Sequence, residues 1–295
     1  MLTTKSKILN YLTRFMKTVL ISGVSTGIGR ATALRLLENG WRVYGSVRKS
    51  ADAVELTNAF PQSFHALVFD VTDAEDRRRG VATIQANGHT LHALVNNAGI
   101  AVSGPLERIA EADYRKQFEV NVFGMLGLTQ DCLPLLHAAK ESGVSPVRIV
   151  NISSVSGMLT SPFTALYSAS KFAVESLTDG FRRELLPFGI DVVSVAPGPV
   201  KTPIWDKAES GTEVYENSRY AFILEKLPAY LANTKAAAIP AEDIAVRVHE
   251  VLEAANPSPY HLLMPKAWLI KLLRWLPKRR MDKLVWKNLN ASQRY

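Results

Sequence analysis

Tyr167 and Lys171 lie four residues apart in Phe163-Thr-Ala-Leu-Tyr-Ser-Ala-Ser-Lys-Phe-Ala-Val-Glu-Ser-Leu177, which reads as the start of a long helix. Positions four apart share one helix face, so the phenol and the ammonium stand side by side. A phenol titrates near ~10 in water, too high for easy proton exchange at neutral pH. A cation within ~4–6 Å favours the phenolate and lowers that value by roughly 1–3 units. The expected chemistry is proton transfer at an alcohol or carbonyl oxygen, with Lys171 lowering the pKa of Tyr167. The same pair also suits a solvated helix face, so the rest of the chain has to decide.

A second chemical signal comes early in the chain. Gly23-Val-Ser25-Thr26-Gly27-Ile28-Gly29 follows a short β-branched run and precedes a helical stretch. A glycine turn between strand and helix lets backbone N–H groups approach a pyrophosphate at the helix N-terminus. At the end of the second strand an acid would bind the ribose hydroxyl of NAD, whereas an Arg suits the 2′-phosphate of NADP. The acid's place is taken by Val47, and Arg48-Lys49 follow. A guanidinium matches a phosphate, so NADP(H) is expected over NAD(H).

These residues need a scaffold. Apolar runs predict strands at 17–22, 41–47, 64–69, 91–95, 146–152, 190–195 and 260–264. Helices are expected at 30–39, 73–87, 110–139, 163–187 and 239–254. Alternating strands and helices predict an α/β, doubly wound parallel sheet with its ligand crevice at the strands' carboxyl ends. The polar candidates fall at those ends: Asp70-Val71, Asn96-Asn97-Ala98-Gly99, Ser153-Ser154 and Ala196-Pro197-Gly198-Pro199-Val200-Lys201-Thr202. Asp73 is the better candidate to cap the helix after the third strand.

Composition narrows the classes. The chain has 295 residues, of which 47% are apolar, and a single cysteine, Cys132. One cysteine excludes an internal disulfide and fits a reducing compartment. No apolar run reaches the ~18–20 residues of a membrane span. The net charge is +8, with +4 in residues 1–17, +8 in residues 266–295 and −4 in the body between them. A mildly acidic body argues against a nucleic-acid-binding face, while the basic ends suit an anionic surface. The expected organisation is an extension at 1–16, one catalytic domain at 17–265 and a basic amphipathic segment at 266–295. The first 16 residues are open to three readings: a surface extension, an upstream start ahead of Met16, or an organelle presequence.

Taken together, the motifs resemble the short-chain dehydrogenase/reductase family. The match comprises Ser22-Gly23-x-x-x-Gly27-Ile28-Gly29, Asn96-Asn97-Ala98-Gly99, Asn121, Ser154 thirteen residues before Tyr167, Tyr-x-x-x-Lys, and Pro197-Gly198 with Thr202. It spans residues 17–202, in order. Ser22 stands where the family usually has Thr, which keeps a hydroxyl. The resemblance implies a Rossmann-type domain and a hydride-transfer enzyme. Tyr167 would be the general acid or base, Lys171 would tune it and hold the nicotinamide ribose, and Ser154 would bind the substrate oxygen, with Ser153 as rival. Asn121 would hold a water linking Lys171 to solvent. Asp70 and Val71 would contact the adenine. Asn97, Ala98 and Gly99 would line the adenosine ribose, and Pro197, Gly198, Val200 and Thr202 the nicotinamide end. Homo-oligomers are usual in such families.

Lys171-Phe-Ala-Val-Glu-Ser-Leu and Arg182-Arg183-Glu184-Leu185 resemble the steroid- and retinol-dehydrogenase branch, implying a lipophilic alcohol or ketone substrate. A lid at 201–236, rich in aromatics such as Trp205, Tyr215 and Tyr230, would wall the pocket with Met158, Leu159 and Phe163. Two alternatives are a 3-oxoacyl/3-hydroxyacyl oxidoreductase and a non-catalytic dinucleotide-sensing regulator. In residues 266–287, Trp and Leu interleave with Lys and Arg, and Pro277 interrupts the helix. The pattern fits a helix in a membrane interface, a pocket lid or a subunit contact. A cytoplasmic protein with possible peripheral membrane contact is the expectation.

Overall fold

The computed structural model describes residues 16–202, 218–221, 232 and 236–290. The chain from Thr18 to Leu263 builds one parallel sheet of seven strands: β1 (Thr18–Ile21), β2 (Arg42–Val47), β3 (Phe64–Val68), β4 (Ala93–Asn96), β5 (Val147–Ile152), β6 (Ile190–Pro197) and β7 (Tyr260–Leu263). Their order is β3-β2-β1-β4-β5-β6-β7. Every pairing is parallel. The order reverses between β1 and β4, and there the carboxyl ends part to form a crevice. Among the described residues no helix is long and apolar enough to cross a membrane.

Helices cover both faces. Between the strands run α1 (Gly27–Glu38), α2 (Val54–Ala59), α3 (Ala74–Ala86), α4 (Glu111–Phe118), α5 (Met125–Glu141), α6 (Ala165–Leu185) and α7 (Ala241–Glu253). After β7 come α8 (Ala267–Leu273) and α9 (Lys278–Asn290). Alternate strand residues serve opposite faces. Val19, Ile21, Val43 and Val193 pack with Leu36 of α1 and Ile244 and Val248 of α7. Leu20, Leu94, Ile149 and Val192 pack with Leu128 and Leu136 of α5. Strands buried on both faces explain the near-continuous apolar runs in the sequence.

Three details differ from expectation. Helix α1 starts at Gly27, three residues early, so the last two glycines of the turn are its first turn. The helix expected at 110–139 is α4 and α5 joined by a π-turn, Glu119–Gly124, which holds Asn121. The short α2, preceded by a 3₁₀ turn, was not anticipated. Asp73 does cap α3, accepting from the backbone N of Asp76. Residues 1–15 of the extension expected at 1–16, and most of the lid, including Trp205, Tyr215 and Tyr230, lie outside the described residues.

One packing contact sets the loop after β3. Arg77 of α3 donates to the Val71 carbonyl at 2.7 Å and pairs with Asp131 of α5 at 3.0 Å. Gly127 leaves room for this guanidinium, which a Cβ there would strike. Displacing Arg77 would strand a mostly buried Asp131 and free the Val71 carbonyl. Gly127→Ala is therefore expected to cost about 2–3 kcal/mol, read as a lower denaturant midpoint with unchanged m.

Candidate active site

The glycine turn is shaped by side chains from the neighbouring strand end. Asn97 Nδ2 donates to the carbonyls of Ser22 and Gly23, each at 2.9 Å. Ser22 Oγ accepts from the backbone N of Asn97 at 2.9 Å and of Ala98 at 3.0 Å. This double acceptor role explains why a hydroxyl stands at position 22. Gly23 (φ +72°) and Gly27 (φ +59°) adopt left-handed backbone, and a Cβ on Gly29 would strike the Gly23 carbonyl and Asn97. Thr26 precedes α1 without a side-chain cap, and the helix's first turn holds no acid. Its leading N–H groups are left for an anion, so the turn fits a dinucleotide pyrophosphate. Ser25 and Ile28 are half-buried in the same turn and Thr26 is exposed.

The other predicted cofactor residues ring this turn. Gly23 packs against Ala98, and Gly27 against Thr202. Arg48 is exposed at the end of β2 and forms no ion pair among the described residues. Asp70 Oδ1 accepts from Thr72 N at 2.9 Å and Thr72 Oγ1 at 2.8 Å, holding the loop before α3. Val71 and Val200 are buried. Gly198, next to Pro197, donates to the Leu263 carbonyl at 2.9 Å, and a Cβ on it would press on Met264. Gly99 lies against Asn121.

The catalytic candidates converge beyond the end of β5. Tyr167 lies beside Ser154, whose hydroxyl favours the phenolate. Ser154 Oγ accepts from Ser156 N at 3.1 Å, which leaves its own proton to point elsewhere. Ser153 Oγ turns toward Glu175 without a hydrogen bond of good geometry, so the structure separates the two serines. Lys171 Nζ sits 5.8 Å from the Tyr167 ring centre and donates to the Ile152 carbonyl at 2.8 Å. Asn121 Nδ2 donates to the Ile100 carbonyl at 2.9 Å and Ser170 Oγ at 3.1 Å, and its Oδ1 accepts from Ile100 N at 2.8 Å. Its amide thus braces the π-turn against the loop after β4, and Ser170 relays the contact to the Tyr167 carbonyl at 2.7 Å.

The charge states differ from the sequence expectation. Tyr167 is not depressed: burial raises it to about 12, with only the neighbouring Ser154 hydroxyl opposing. The ammonium lies 5.8 Å from the ring centre with one N–H on the Ile152 carbonyl, and desolvation of the phenol outweighs its attraction. Burial likewise lowers Lys171 to about 8, and the negative charge of Glu175 partly restores it.

Glu175 was not singled out from the sequence. It continues the Tyr167–Lys171 ladder one helical turn on, and its Oε1 accepts from Ser194 Oγ of β6 at 2.7 Å. Only the four-residue periodicity pointed to it. A buried amide chain was also missed: Asn96 donates to Asn151 at 2.8 Å and to Thr129 of α5 at 2.9 Å, and Asn151 donates to Thr178 of α6 at 2.9 Å.

The position of Glu175 yields a pH prediction. Protonated Lys171 is lost as pH rises through about 8, so kcat/KM should fall over an alkaline limb there. Glu175→Gln removes the charge that raises Lys171, so the limb should move to lower pH. Glu175→Asp should largely restore it. A pH–rate profile unchanged in Glu175→Gln would refute the assignment.

Comparison with known proteins agrees with this geometry. The short chain dehydrogenase family profile matches residues 17–213. An NADPH-dependent 3-dehydrocapnine reductase of Ornithobacterium rhinotracheale is 39% identical over 277 residues, spanning 93% of this chain and 98% of that protein. A 3-ketodihydrosphingosine reductase of Bacteroides thetaiotaomicron is 34% identical over 203 residues, 69% of this chain and 71% of that protein. The crystal structure of a short-chain dehydrogenase from Streptomyces avermitilis superposes with a TM-score of 0.75 at 28% identity, covering 95% of this chain and 99% of that one. None of these three relatives singles out the steroid and retinol branch. A seven-stranded parallel sheet, a glycine turn open to a pyrophosphate and a Ser–Tyr–Lys cluster at its rim place the chain in the short-chain dehydrogenase family, as an NAD(P)-dependent oxidoreductase.

Proposed function

We propose that the protein reduces a ketone on a lipid-like, long-chain substrate with NADPH. The direction is supported by the two reductase relatives, one of them NADPH-dependent, and the state of Tyr167 suits it. A phenol held near 12 keeps its proton at neutral pH and is ready to give it to a carbonyl oxygen gaining negative charge. The substrate class is supported by the two reductases above, whose names place a ketone at carbon 3 of their substrates. Dihydrosphingosine is a long-chain amphiphile, which favours a 3-oxo lipid over a steroid or retinoid.

The cofactor is NADP(H), and it supplies the hydride. The protein supplies position and protons. The Ser154 hydroxyl, with its acceptor side filled by Ser156 N, donates to the carbonyl oxygen and steadies its growing charge. Tyr167 Oη delivers the proton. Lys171 and Asn121 would serve its return, through a water between them and solvent. Arg48 would pair with the 2′-phosphate, and residues 97–99 and 197–202 would hold the two ribose ends. A 3-oxoacyl thioester would need the same proton and hydride movements and is the second substrate class to try. A purely regulatory dinucleotide sensor would have no need of the Ser154–Tyr167 contact.

The test is NADPH and NADH oxidation by the purified chain with 3-oxo sphingoid bases, retinal, oxosteroids and 3-oxoacyl thioesters. Turnover is expected with a 3-oxo lipid and NADPH, and Tyr167→Phe should abolish it while leaving NADPH binding intact. Arg48→Ala should raise KM for NADPH about tenfold or more and leave NADH unaffected, the loss of one charge-assisted phosphate contact. Preference of the parent for NADH, or equal effects on both cofactors, would remove Arg48 from that role. Cofactor binding without turnover across the panel would leave the regulatory reading standing.

A further inference from the structure

Helices α8 and α9 are delivered to the rim of the active site. Strand β7 runs parallel to β6, and Leu263 is in register with Pro197. Its carboxyl end therefore lies at the edge where Gly198 and the catalytic cluster sit. Lys266, at φ 55°, turns the chain out of the strand and into α8. Pro277 then separates α8 from α9.

These helices and the turn between them hold large apolar side chains outward. Trp268 is 67% exposed, Leu272 58% and Trp275 85%. Leu269, Leu276 and Trp286 are also exposed. Such a group beside an active site marks a contact surface, since water-exposed tryptophans of this extent serve no core. Between them stand Lys266, Arg274, Lys278, Arg279, Arg280, Lys283 and Lys287, all exposed. None forms an ion pair among the described residues. Residues 266–290 hold eight Lys/Arg against Asp282 alone.

We propose that α8 and α9 dock the protein on an anionic phospholipid surface. Tryptophan rings settle at the headgroup boundary, and each Lys or Arg near such a surface gains attraction from it. The charge speaks against a second copy as occupant: a two-fold contact through this face would bring two strongly positive surfaces together. The exposure of Trp268 and Trp275 speaks against these rings closing over the pocket. The docked orientation would place the mouth of the crevice at the bilayer, so that a long-chain ketone passes into the site without crossing water. That last consequence rests on the proposed substrate class, whereas the docking itself does not.

The test mixes the full-length protein, without substrate, with vesicles of phosphatidylcholine alone or of equal parts phosphatidylcholine and phosphatidylglycerol. Co-sedimentation with the anionic vesicles should exceed that with the neutral ones by on the order of tenfold, and should weaken as salt is added. Tryptophan emission should shift to the blue on binding. Trp268→Ala/Trp275→Ala and, separately, Lys278→Glu/Arg279→Glu/Arg280→Glu should each lose most of the binding while keeping NADPH binding, which checks that they fold. Three results would overturn the proposal: no binding to anionic vesicles at low salt, equal binding to both vesicle types, or a vesicle-indifferent dimer that the tryptophan variant converts to a monomer. Because no substrate is present, each leaves the reductase reading intact.

Discussion

A lysine ammonium held out of water at the end of a central strand is the constraint around which this site is arranged. Lys171 is buried, and burial weakens its hold on its proton. The Ile152 carbonyl answers one N–H, and the Glu175 charge opposes the loss. Both partners come from fixed elements: Ile152 ends β5, and Glu175 is tied to β6 through Ser194. The helix that presents Lys171 is thereby registered against the sheet, and Tyr167, one turn earlier, is placed as a consequence. The same dry surroundings keep the phenol neutral. Phenol and ammonium are thus moved apart by a shared environment, the phenol pushed up and the ammonium down.

The strand ends around this pair are stitched to one another and to helices by buried amides. Asn97 clamps the turn after β1, Asn96 and Asn151 join β4 to β5, and Thr129 and Thr178 anchor that pair to α5 and α6. The threonine hydroxyls donate back to their own helices, to the Met125 and Val174 carbonyls, so they can accept from the amides. Satisfied polar contacts of this kind restrict how the strands can shift. They give the rim the stiffness that orienting a hydride and a proton donor requires.

Much of this was legible in the sequence because apolar runs report strands buried on both faces, and glycine spacing reports where backbone must pass close to backbone. The seven strands and the glycine turn follow from such local signals, whereas the Ser154–Tyr167–Lys171 set rests on the family resemblance. The choice of Ser154 over Ser153 rests on the spacing usual in the family, and the two side chains have different partners. Other features depend on contacts between distant segments. Nothing local shows how dry the surroundings of the phenol are, so the expected lowering of Tyr167 gives way to a rise. Residues 119–124, Glu-Val-Asn-Val-Phe-Gly, hold weak helix formers but no local sign of a π-turn, which is braced by the two bonds between Asn121 and Ile100. Glu175 reads as a solvent-facing helix residue until Ser194 is placed beside it.

That π-turn has a consequence for how the chain tolerates change in length. One extra residue in a helical turn advances every later side chain by about 100°. Gln117, before the turn, faces the loop after β4, donating to the Ile100 carbonyl and accepting from Val102 N. Thr129, Cys132 and Leu136, after it, face the sheet. Straight α-helical winding from 111 to 141 would satisfy only one of these two alignments. A lineage that lost a residue between 119 and 124 would gain a more regular helix and lose the common bearing of its two halves. The irregular turn works as a phase adjuster, letting one continuous rod answer to the loop at one end and to the sheet at the other.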